Sequence, residues 1–63
     1  MGEKLLKLRE FAVKNTNALA KMRLAMMTQV PSDKVASVPD SPENVAKFKE
    51  AVKQITGKDP VID

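Results

Sequence analysis

Apolar positions in the first half of the chain recur at spacings of three and four: Leu5, Leu8, Ala12, Leu19, Met22 and Met26. That is the period of an α-helix. From Glu3 to Gln29 there is no Gly or Pro, and Leu, Ala, Lys, Met and Arg, all strong helix formers, dominate. The pattern predicts one long helix over about residues 3–29. Val30-Pro31 ends it, because the residue before a proline avoids the α region. At 1.5 Å per residue this helix would be roughly 40 Å long.

A second periodic stretch, Val45, Phe48, Val52 and Ile55, makes a single narrow stripe. Its start is well signalled: Ser41 suits an N-cap, Pro42 is preorganised for the first helical position, and Glu43 favours the positive helix end. Gly57 suits the C-cap. The predicted second helix spans about residues 42–56. Residues 30–40 form the linker, with Pro31 and Pro39 near its ends. Ser32 is placed to cap one short helical turn through Asp33–Ala36. Val30, Val35 and Val38 give the linker an apolar side, so it is expected to lie against the first helix. Residues 58–63 contain Pro60 and are expected to be an extended tail, frayed at its end.

The first predicted helix carries more apolar positions than a surface helix needs. Steps of about 100° put Leu5, Leu8, Phe11, Ala12, Ala18, Leu19, Met22, Ala25 and Met26 in one broad zone. Leu6, Val13, Ala20, Leu24 and Met27 form a second strip. The polar strip is narrow: Lys7, Glu10, Lys14, Asn17 and Lys21. An ordinary surface helix needs an apolar stripe only a little over about 100° wide. Two sets of residues follow. The hairpin core is expected to be Leu5, Leu8, Leu19, Met22 and Met26 against Val45, Phe48, Val52 and Ile55. The strip Leu6, Val13, Ala20, Leu24 and Met27 is left over and is expected to be a protein interface, since contiguous exposed apolar surface marks interaction sites. Asn15 falls within the broad zone, either at a seam position, where one buried polar residue fixes register, or at the seam edge, bonded to solvent.

Composition narrows what can stabilise and use such a chain. At 63 residues it is one small domain, of a size that folds marginally. It has no Cys and no His, so disulfides and nitrogen or sulfur metal sites are excluded. The acids are scattered rather than clustered as an all-oxygen metal site requires. Oligomerisation or docking to a partner is the support left. Phe11 and Phe48 are the only aromatic residues. The core must therefore be Leu, Val, Ile, Met and Ala, which specify packing weakly.

The same absences argue against catalysis, since the commonest general base and the best nucleophile are missing. A Ser–Lys pair from Ser32, Ser37 or Ser41 with Lys34 arises by chance in any polar loop. The only glycines are Gly2 and Gly57, so there is no phosphate-cradling loop. No cofactor is expected.

The net charge of +3 is unevenly placed. Residues 1–29 hold six cations against two acids, and residues 30–63 hold five lysines against six acids. The basic character belongs to the first predicted helix. Lys7, Lys14 and Lys21 are the residues through which it would meet a nucleic acid, and a basic nucleic-acid-binding regulator is the competing reading. Lysines suit phosphates more than base edges, and aromatic stacking platforms are missing. Membrane-surface binding is disfavoured, with Phe11 alone as interfacial aromatic. The longest apolar run near the N-terminus, Leu24–Met27, is too short for a signal-peptide core or a span.

Together these readings predict an all-α, two-helix hairpin acting as a non-enzymatic structural subunit or adaptor. It would dock into a larger protein assembly or homo-oligomer through the apolar faces of its first helix. Its setting is expected to be cytoplasmic or a virion, a phage component being one case, without secretion by a signal peptide.

Overall fold

The computed structural model describes residues 2–61. All regular structure among them is helical: α1 (Glu3–Asn15), α2 (Ala20–Thr28), a 3-10 segment (Ser32–Ser37) and α3 (Pro42–Thr56). The all-α class is as expected, but the two-helix hairpin is not the architecture. The long helix expected over residues 3–29 is two helices.

The break falls at Asn15-Thr16-Asn17, where no Gly or Pro is needed because side chains compete for backbone groups. Asn15 Nδ2 donates to the Phe11 carbonyl at 2.8 Å, and Thr16 Oγ1 donates to the Ala12 carbonyl at 2.6 Å. Thr16 then leaves the helix at φ −136°, ψ −98°. Asn17 Oδ1 accepts the Leu19 N–H at 2.9 Å, which restarts the chain as α2. Asn15 therefore ends a helix and occupies no coiled-coil seam. It is exposed, and its Oδ1 accepts from Lys58 Nζ at 3.3 Å.

The break changes which side of the chain faces inward. At 100° per residue an unbroken helix would carry the Leu5–Leu8 face on to Leu19, Met22 and Met26, and α2 is turned from that phase by roughly 120°. Ala20, Leu24 and Thr28 point inward instead, at 1%, 2% and 1% exposure. Thr28 keeps its hydroxyl satisfied by donating to the Leu24 carbonyl at 2.7 Å. Of the expected hairpin core, Leu5, Leu8, Phe48, Val52 and Ile55 are buried and Val45 is partly buried against them. Leu19, Met22 and Met26 are not core: they are 63%, 64% and 78% exposed.

The remaining segments close the core on one chain. Val35 is buried, and Val30 and Val38 pack against the cluster, so the valine linker lies on the helices as expected. Its helical turn is the whole Ser32–Ser37 segment, and Ser32 is not its cap; Pro31 precedes it with no side-chain cap. Ser32 serves Arg9 instead, its carbonyl and hydroxyl accepting from Nη1 at 2.7 and 3.4 Å. The start of α1 is capped from a distance: the Asp40 carboxylate accepts from the N–H groups of Lys4 and Leu5 at 3.1 and 3.4 Å. Helix α3 begins and ends where the sequence places it. Ser41 Oγ accepts the Asn44 N–H at 3.2 Å, and Gly57, at φ 73°, donates to the Lys53 carbonyl at 2.7 Å.

Helix α3 packs across both α1 and α2, and the 3-10 segment packs on the same two helices. The result measures 25 × 21 × 15 Å, where a 40 Å rod was expected. Beyond Gly57 the described residues have no regular structure. A solvent-exposed ion pair, Lys53 Nζ to Asp59 Oδ1 at 3.4 Å, lies alongside α3. Val61 is exposed, and Ile62 of the expected tail lies outside the described residues.

Candidate protein-interaction surface

The five residues expected to form the interface do not form one surface. Ala20 and Leu24 are in the core, and Leu6 and Val13 are partly buried against it. Met27, at 40% exposure, is the member most open to solvent. The reason is the same rotation of α2: it takes part of the strip inward and turns the other apolar set outward.

That other set is the candidate site. Leu19, at the N-cap of α2, and Met22 and Met26 are spaced by three and four, so they share one helix face. This face lies opposite the buried Ala20, Leu24 and Thr28. Met27 sits at its edge. Apart from Val61, these four residues are the large hydrophobic side chains exposed among the described residues. Methionine is unbranched and polarizable, so it adapts to a partner's shape. Sequence patterning identified the excess of apolar positions but assigned Leu19, Met22 and Met26 to the interior.

The stretch of chain that carries the face is basic. Between Glu10 and Asp33 the chain carries Lys14, Lys21 and Arg23 and no acid. Arg23 is one helical turn from Leu19, beside Met22 and Met26. Lys21 lies on the flank toward α1, where it lines a groove with Arg9, Glu10, Val13 and Lys14. Two of the three lysines expected to meet a nucleic acid thus share one groove; Lys7 is exposed on α1 outside that lining. Arg9 is held by Ser32, and its Nε is shielded from solvent with no hydrogen-bond partner among the described residues.

Among the described residues no three His, Cys, Asp or Glu side chains are grouped to hold a metal ion, and no helix is long and apolar enough to cross a membrane. Protein-family models, curated proteins and solved structures provide no match to this chain.

Proposed function

We propose that the protein is a non-enzymatic helical interaction module, a structural subunit or adaptor that docks into a larger protein assembly through the outer face of α2. One observation carries this reading: Leu19, Met22, Met26 and Met27 stand exposed on one short helix while the same chain has closed a core behind it. Burying a Leu or Met side chain is worth about 1.5–3 kcal/mol, so leaving four of them in water forgoes energy that a partner recovers. Because the core is closed within one chain, docking need not supply folding energy. Association should therefore leave helicity unchanged.

Co-purification from the native setting after mild crosslinking tests the reading. The expected result is a co-eluting protein at fixed stoichiometry, lost when Met22 and Met26 are both changed to Ser. A wild-type chain that elutes as a lone monomer, uncrosslinked to itself or to another protein, overturns it.

A nucleic-acid-binding regulator is the second reading, favoured by Lys14 and Lys21, which line one groove together with Arg9 and Glu10. It requires retention on mixed DNA or RNA at low salt, with loss as salt rises.

A further inference from the structure

We infer that the partner of the α2 face is an acidic amphipathic helix, one with leucine-like residues on one side and Glu or Asp flanking them, rather than a second copy of this chain. The inference rests on the docking reading above and identifies the occupant by three observations.

The first is charge. Arg23 flanks the face, Lys21 stands on the groove side of α2 with Lys14 and Glu10, and along the chain no acid lies between Glu10 and Asp33. A two-fold self-association would set the same patch against itself and bring these cations together. Several of the acids that a head-to-tail contact would use are already engaged, Asp40 among them at the start of α1. Glu50 on α3 sits among Lys47, Lys49 and Lys53, and Asp59 is engaged by Lys53. Flanking carboxylates on a foreign helix complement the border and disfavour basic competitors.

The second is area. Four Leu or Met side chains offer on the order of 250–500 Å² of apolar surface at the usual transfer coefficient. A stable interface between two globular partners needs about 800 Å² from each. The patch is too small for a stable dimer and is the right size to seat a single helix.

The third is shape. Leu19, Met22 and Met26 form a ridge along a helix, and no strand edge exists among the described residues for an extended peptide to join. Helices pack on such ridges by interdigitating their own rows at three- and four-residue spacing. An anionic polymer such as nucleic acid satisfies the cations but gains nothing from the methionines, and there is no exposed aromatic ring for bases to stack on.

The test uses the full chain and dye-labelled helical peptides that share one leucine stripe and differ only in flanking residues: Glu, Gln or Lys. Fluorescence anisotropy should show the Glu peptide binding at least about tenfold more tightly than the Lys peptide, a difference of about 1.4 kcal/mol. Met22→Ser with Met26→Ser should weaken it by a similar factor. Lys21→Glu with Arg23→Glu should reverse the preference toward the Lys peptide. Equal binding of all three peptides overturns the charge assignment and leaves docking through α2 standing. So does self-association that is lost in the methionine double variant. Absence of binding to any peptide overturns the inference. Binding of a mixed-sequence DNA duplex or of phosphatidylglycerol vesicles, undiminished by the methionine changes and with no peptide bound, overturns both the inference and the docking reading.

Discussion

Single residues tie distant parts of this small chain together, and Gly2 shows how tightly. It precedes α1 at φ 68°, a left-handed conformation that a side chain disfavours. A Cβ placed there would stand 2.6 Å from the Val35 carbonyl oxygen and 2.9 Å from that of Val38. The α1 entrance is thus sealed against the 3-10 segment by backbone alone. Asp40 does the capping that Gly2, having no side chain, cannot do. Gly2→Ala is therefore expected to cost about 2–4 kcal/mol, combining left-handed strain with a clash against backbone. A chain of this length has only about 3–9 kcal/mol to lose. Urea denaturation followed by circular dichroism measures the shift; an unchanged midpoint would mean that the α1 entrance and the 3-10 segment separate at no cost.

Elements differ in how plainly the sequence declares them. Helix α3 was legible because its ends carry specialised residues, Ser41-Pro42 and Gly57, and its single stripe admits one phase. The linker valines were legible because three β-branched apolar residues in a loop need something to cover them. The break after α1 was hidden because Asn15, Thr16 and Asn17 each cost a helix only about half a kcal/mol in propensity, too little to stand out in a run free of Gly and Pro. A signal was nevertheless present. The chain has three threonines, and each ends an α-helix by donating to the carbonyl four residues back: Thr16 to Ala12, Thr28 to Leu24 and Thr56 to Val52. Because α1 and α2 are separate, one Gly inserted between Thr16 and Asn17 should be tolerated, costing less than about 1 kcal/mol. The same insertion after Leu8 would rotate the rest of α1 by about 100° and pull Ala12 off the core. Comparing the two melting curves checks this; equal, severe losses would show that α1 and α2 form one rigid rod.

At the scale of the whole molecule, the break decides the division between what folds the chain and what it presents. Pattern alone left two apolar sets on the first predicted helix, and which of them faces inward depends on the phase of α2 relative to α1. The unbroken phase selected Leu19, Met22 and Met26 for the interior. The actual phase buries Ala20, Leu24 and Thr28 and presents the other set. The two arrangements demand opposite responses to substitution. Leu24→Ala removes a side chain of 2% exposure from the core, with an expected cost of about 2–5 kcal/mol, enough to unfold much of the population. Met26→Ala, at 78% exposure, should change stability by no more than about 0.5 kcal/mol. Binding should reverse that order among folded chains: Met26→Ala weakens docking while leaving the melting curve in place. Thermal melts of the two variants, with anisotropy against the acidic peptide for Met26→Ala, separate the cases. If Met26→Ala unfolds the protein and Leu24→Ala leaves it folded, α2 faces the other way, and the apolar surface available to a partner is the strip of Ala20, Leu24 and Met27 after all.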